Sequence, residues 1–248
     1  MTTVSQIEWT EQTWNPTVGC TKISPGCKHC YAETMARRLQ AMGVRDYANG
    51  FRLTLLEHRL AEPLKRKKPT IYFVNSMSDL FHQSVPDEYI DRTLDAIRAA
   101  RQHTFQLLTK RAERLPRFFA TREVPRNLWL GVSVENRKHG VPRVACLRQV
   151  AAPVRFLSVE PLLEDVGELD LSGIQWVIVG GESGHKARPM KAEWVESVKR
   201  QCDAQGVRFF FKQWGRWGAD GRSRSKKANG RTFAGRQWDD MPSAVHAP

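Results

Sequence analysis

Residues 128–135 read LWLGVSVE: an unbroken apolar run that ends, with no spacer, on Ser133 and Glu135. A strand that alternates apolar and polar residues keeps one face in water, whereas a continuous run of this length suits a strand covered on both faces. The same design recurs down the chain in TIYFVNS (70–76), FQLLTK (105–110), VRFLSVE (154–160), IQWVIVGGE (174–182) and VRFFFKQ (207–213). Between most of these runs lie helix-like stretches. Residues 87–102 place Ile90, Leu94 and Ile97 at helical spacing behind Asp87 and Glu88, and residues 191–205 place Val195, Val198 and Cys202 on one face before Gly206. Residues 31–42 set Ala32, Met35, Ala36, Leu39 and Met42 on one stripe, ended by Gly43. Strands alternating with helices imply βα units and a mostly parallel sheet.

The ends of the runs decide between two parallel architectures. They carry SMSD (76–79), TKR (109–111), SVEN (133–136), SVEP (158–161), GGES (180–183) and KQW (212–214). Polar groups at the C-terminal end of nearly every strand suit the mouth of a (β/α) barrel, while a doubly wound sheet would gather them at one switch point. The expected fold is therefore α/β, a partial (β/α) barrel of about six parallel strands over residues 1–213. Residues 214–248 form a basic Gly/Arg/Trp-rich C-terminal extension, with Trp214, Trp217, Phe233 and Trp238 interleaved among the cations.

Composition narrows the class. The 248 residues are 41% hydrophobic, enough for an ordinary core, and no apolar run approaches a membrane span. The opening MTTVSQIEWTEQTW lacks the basic head and apolar middle of a signal peptide, so a cytoplasmic location is expected. A net charge of +13 favours a polyanionic partner such as nucleic acid, although a basic enzyme without one has the same charge. The exposed-looking run Lys65–Lys68 and the basic extension are the candidate phosphate contacts.

Three of the five cysteines crowd one loop, GCTKISPGCKHCYAE (19–33). Reduced thiols in this C-x6-C-x2-C spacing are soft ligands for zinc or an iron–sulfur cluster. A structural zinc would need a fourth ligand, for which His29, His82, Cys146 and Cys202 are the candidates, the last two reading more simply as packing residues. A four-iron cluster held by Cys20, Cys27 and Cys30 alone would keep one iron open to a small molecule.

The cysteine loop followed by repeated βα units resembles the radical SAM superfamily, where three cysteines hold a 4Fe–4S cluster and S-adenosylmethionine (SAM) chelates the open iron. The superfamily's common spacing is C-x3-C-x2-C with an aromatic residue before the last cysteine; here the first gap is six and His29 precedes Cys30, with Tyr31 after it. A nearer resemblance is to a three-cysteine, radical SAM-like family of largely uncharacterised phage and bacterial proteins. It rests on WNPTVGCTKISPGCKHCYAE, VNSMSDLFH, FQLLTKRAERL, LSVEPLLEDV, VIVGGESG, FFFKQWG and GRQWDDMP in order. The resemblance implies reductive cleavage of SAM to a 5′-deoxyadenosyl radical, with an electron-donor protein as partner. It also implies that the region of Ser76, Ser78 and Asp79 helps hold the methionyl amine, against the plainer reading of a cap or turn.

Other strand-end residues are assigned on their own chemistry. Ser133, Glu135 and Glu160 would hydrogen-bond a ribose, or the glutamates would pair with Lys110 or Arg111. Gly180 and Gly181 would admit a ligand close to the backbone, with Glu182 as an acceptor. Lys110, Arg111 and Lys212 would bind a substrate carboxylate or phosphate. Two rivals stand beside the enzyme: a zinc-stabilised nucleic-acid-binding module, and a cluster-binding partner subunit without catalysis.

Overall fold

The computed structural model describes residue 5 and residues 7–243. Residues 1–4, 6 and 244–248, which include the start of the N-terminal stretch and the end of the basic extension, lie outside the described residues. Seven strands build one all-parallel sheet: β1 (Gln12–Trp14), β4 (Ile71–Val74), β5 (Thr104–Thr109), β6 (Leu128–Ser133), β7 (Val154–Val159), β8 (Trp176–Gly180) and β9 (Arg208–Gln213). The short strands β2 (Thr17–Val18) and β3 (Thr54–Leu55) pair antiparallel beside it. Spatial order in the large sheet follows chain order throughout, which is barrel winding with no reversal point, and the sheet curls into a half-barrel.

All six expected strands are present. The seventh, β1, escapes sequence reading because the three residues QTW carry no readable period. Its register against β4 (Gln12 beside Tyr72, Trp14 beside Val74) closes the edge of the sheet next to the cysteine loop. The helices are α1 (Tyr31–Ala41), α2 (Asp87–Ala99), α3 (Arg114–Phe119), α4 (Val141–Arg148), α5 (Ala192–Ala204) and the single turn α6 (Lys226–Asn229).

Strand side chains alternate between two buried faces, which is why the runs are continuously apolar. Leu107, Leu130, Val132, Leu157, Val177 and Phe211 join the helices in the larger core. Phe73, Trp129, Phe156, Trp176 and Phe210 point the other way and pack around Trp9. Such a side chain, fully buried, contributes about 1.5–3 kcal/mol. Gly131 fits this inner layer because a Cβ there would lie 2.4 Å from the Phe156 ring.

Helix α1 departs from the expected stripe. Ala32 and Ala36 are buried, but Met35 and Met42 are exposed, because only the alanine face of the helix meets the small cluster around Val18, Tyr47 and Met77. The described part of the C-terminal segment packs on the body. Trp214 and Phe233 enter the larger core, and the Phe211 amide donates to the Trp238 carbonyl at 2.9 Å. The segment thereby covers the open edge of β9, which would otherwise present unpaired backbone groups.

Candidate functional site

The C-terminal ends of the strands open onto a cavity of about 400 Å³, within the range of small-molecule sites. Cys20, Cys27 and Cys30 all line it, together with Ser76, Ser78, Asp79, Lys110, Arg111, Ser133, Glu160, Gly181, Glu182 and Lys212. The fold thus gathers residues as distant in sequence as Cys20 and Lys212 around one space. Glu135 and Gly180 are not among its lining residues.

The cysteine loop is anchored from two sides. Arg111, at the end of β5, donates from Nη1 to the Cys20 sulfur at 3.4 Å and from Nη2 to the Thr21 carbonyl and hydroxyl at 3.0 and 2.9 Å. Arg188 donates to the Pro25 carbonyl at 3.0 Å and grips Glu182 through Nη2 at 2.6 Å and Nε at 2.9 Å. All five cysteines are free thiols. Burial, reinforced by Asp79 and opposed by Arg111, pushes the Cys20 thiol up to about 11, so the thiol is protonated at neutral pH. Among the described residues, no group of three or more His, Cys, Asp or Glu side chains is drawn together tightly enough to hold one metal ion.

Of the residues considered as a fourth ligand, His29 lines the cavity. His82 is engaged elsewhere, with Nε2 2.9 Å from the Thr21 hydroxyl and Nδ1 accepting from the Ser84 amide at 3.1 Å; burial, with Arg111 nearby, holds its pKa below the usual value. Cys202 is buried in the larger core, where burial pushes its thiol up to about 12, and Cys146 packs against the same core.

Several residues assigned to ligands are engaged by the protein itself. Asp79 accepts from the Thr109 hydroxyl (2.7 Å), the Phe81 amide (3.0 Å), the Lys110 amide (3.0 Å) and Arg111 (3.1 Å). Those four donors fill the acceptor sites of a carboxylate, leaving none for an ammonium. The Ser78 hydroxyl is shared with Thr17 at 2.6 Å and donates to its carbonyl at 2.8 Å. Glu135 is wholly buried and accepts through Oε2 from Arg143 at 2.6 Å beneath the cysteine loop, while its Oε1 has no hydrogen-bond partner; a Cβ on Gly26 would sit 3.0 Å from its side chain. Gly181 is glycine because the Trp214 carbonyl approaches it: a Cβ would lie 2.0 Å from that oxygen. At Gly180 the neighbour is the Glu160 carboxyl, whose carbon would stand 3.3 Å from an added Cβ.

Other groups remain available. Glu160 and Lys212 form an ion pair in the cavity, at 2.7 and 2.9 Å. Lys110 makes no side-chain hydrogen bond or ion pair among the described residues. Asn75, to which sequence reasoning gave no role, and Gln213, which it placed beside Lys212 at the end of the last apolar run, line the cavity, are each 3% exposed, and hold carbonyl oxygens with no partner. Their amide nitrogens are engaged, Asn75 Nδ2 with the Thr17 hydroxyl at 2.7 Å and Gln213 Nε2 with the Gly181 carbonyl at 2.9 Å; because a carbonyl only accepts, the Gln213 oxygen is fixed as the free end. Ser158 also lines the cavity and pairs in register with Ser133; the matching motifs SVEN and SVEP carried that signal.

Known structures of similar outline are of spore photoproduct lyase. The lyase complexed with dinucleoside spore photoproduct gives a TM-score of 0.46 at 13% identity, and a cysteine-to-serine mutant gives 0.49 at 14%. A further mutant with bound AdoMet and dinucleoside spore photoproduct gives 0.45 at 13%. Each likeness covers 81% of this chain, which spans 63% of the length of those chains. No curated protein sequence matches this one. Residues 4–242 match the family described as "Protein of unknown function (DUF5131)", and the chain belongs to that family.

Proposed function

We propose that this protein is an iron–sulfur enzyme of the radical SAM type, with Cys20, Cys27 and Cys30 holding a 4Fe–4S cluster at the mouth of the half-barrel. One observation carries the proposal: three free thiols, anchored by Arg111 and Arg188, face the same cavity as the strand ends. Soft thiolates spread over one loop suit a multinuclear cluster, in which each sulfur ligates a different iron. With SAM bound, such a cluster supplies the electron that cleaves the sulfonium to methionine and a 5′-deoxyadenosyl radical.

The chain's own residues bind and orient. Arg111 hydrogen-bonds the Cys20 sulfur and offsets thiolate charge, while Asp79 holds Arg111 in place. The unpartnered oxygens of Asn75 and Gln213 are acceptors for the amino groups or ribose hydroxyls of SAM. Ser76, Ser133 and Ser158 offer hydroxyls around the same space, and the Glu160–Lys212 pair presents one charge of each sign to a zwitterionic ligand. Trp9 and Phe73, from the inner aromatic layer, give the same cavity an apolar wall.

The test is product analysis. Anaerobically reconstituted and reduced protein is expected to convert SAM to 5′-deoxyadenosine, and Cys27→Ala to form none. Reconstituted protein that carries a full cluster but forms no 5′-deoxyadenosine would overturn the catalytic reading in favour of a partner subunit.

A further inference from the structure

Beside the cavity lies a second groove of about 640 Å³, and Lys110 and Arg111 form the wall between the two. Six cations line this groove: Lys110, Arg111, Arg114, Arg117, Lys138 and Arg143, against the single acid Glu113. Three of the six are already neutralised, Arg111 by Asp79, Arg114 by Asp87 and Arg143 by Glu135. Lys110, Arg117 and Lys138 have no ion pair among the described residues, and Arg117 and Lys138 are exposed. The groove is therefore a built concavity with three positive charges outside any ion pair, supplied by the end of β5, by α3 and by the loop before α4, of which Lys110 also feels the buried Glu135 carboxylate.

We infer that this groove is the binding track for the phosphate backbone of a single-stranded nucleic acid, which delivers one nucleotide across Lys110 into the cavity. This deepens the proposed function by naming its substrate class, and its chemistry rests on that reading, although the binding itself does not. Free cations lining one groove attract a polyanion, because each phosphate contact releases condensed counterions. A single strand fits the geometry, since a base can enter a cavity beside the backbone track only when it is out of a duplex stack. Arg111 keeps its place on the cysteine loop, so the two sites share a rigid wall.

The experiment is a fluorescence-anisotropy titration of a labelled single-stranded oligonucleotide at several salt concentrations. Three phosphate contacts give a salt slope of about −2, at roughly −0.7 per contact for single strands. The double variant Arg117→Ala/Lys138→Ala removes two, so the slope should fall to about −0.7 and the affinity at 0.1 M salt by about 25-fold. Both residues are exposed and unpaired, so the melting temperature should not change. A control variant at Lys67 and Lys68, in the other basic run, should bind as the unmodified protein does. Binding should also survive Cys27→Ala, which cannot hold a cluster; an unmodified, reconstituted protein that binds the strand but cleaves no SAM would mark failure of the proposed function and not of this inference. Unchanged affinity and slope in the double variant, or affinity that follows Lys67 and Lys68 instead, would overturn the inference. Tighter binding of a duplex than of the single strand would overturn it as well.

Discussion

Glu135 separates a ligand-binding residue from a structural one, and the two roles predict opposite outcomes for Glu135→Gln. Its side chain is wholly buried and its partner Arg143 is 4% exposed, with Arg143 Nη1 donating to Glu135 at 2.6 Å and to the Ser133 carbonyl at 2.9 Å. The substitution keeps the volume and removes the charge, which leaves a guanidinium uncompensated in the interior. Breaking a buried pair from one side costs about 3–5 kcal/mol. For a chain of this length each 1 kcal/mol moves the melting temperature by about 2–4 °C, so a fall of roughly 6–20 °C is expected. Replacing both partners, as Glu135→Gln with Arg143→Met, should recover much of it, because no charge is left unpaired. The pH dependence has a definite sign. Burial pushes the Glu135 carboxyl up, but Lys110 and Arg143 outweigh it and hold the pKa below the usual value. A depressed folded-state pKa gives stability that is complete above the unfolded value and is lost as pH falls through the folded one. The gap between the unmodified protein and Glu135→Gln should therefore be widest at neutral pH and close in acid. Thermal melts across pH measure this. A melting temperature within about 2 °C of the unmodified protein, together with lost SAM binding, would refute the structural assignment.

Neighbouring contacts set further expectations. Asp79→Ala removes the acceptor of four hydrogen bonds and strands Arg111 beside Cys20, so it should lower the melting temperature by an amount similar to Glu135→Gln and reduce iron uptake; unchanged iron content on reconstitution would contradict this. Gly181→Ala places a methyl 2.0 Å from the Trp214 carbonyl, so the C-terminal segment should detach and become sensitive to limited proteolysis, with intact resistance as the contrary result. Removing the free acceptors with Asn75→Ala and Gln213→Ala should weaken SAM binding by about 1–3 kcal/mol in total, read by calorimetry, with little effect on iron content.

The strand runs were legible because two-sided burial leaves an unbroken apolar signature, and LWLGVSVE and VRFLSVE fall on β6 and β7 with their serines in register. Polar residues at the strand ends marked the mouth of the half-barrel for the same local reason. The roles of those residues were less legible, because partners distant in sequence decide them. Nothing near Glu135 announces Arg143 beneath the cysteine loop, and the two glycines of GGES read as room for a ligand until Trp214 is seen against Gly181. Asp79 looked free and is saturated; Asn75, at positive φ (64°) just past β4, looked like the end of a strand and holds an unpartnered oxygen in the cavity. Met35 and Met42 carried a helical stripe that the fold leaves in solvent, since the adjoining cluster needs only the alanines.

The most direct measurement is the electron paramagnetic resonance spectrum of the reduced, anaerobically reconstituted protein with and without SAM, alongside its iron and sulfide content. About four irons per chain are expected, with a cluster signal that changes shape when SAM is added, as coordination at an open iron requires. A colourless protein that retains a single zinc, or a four-iron cluster whose signal SAM leaves untouched, would contradict the radical SAM assignment.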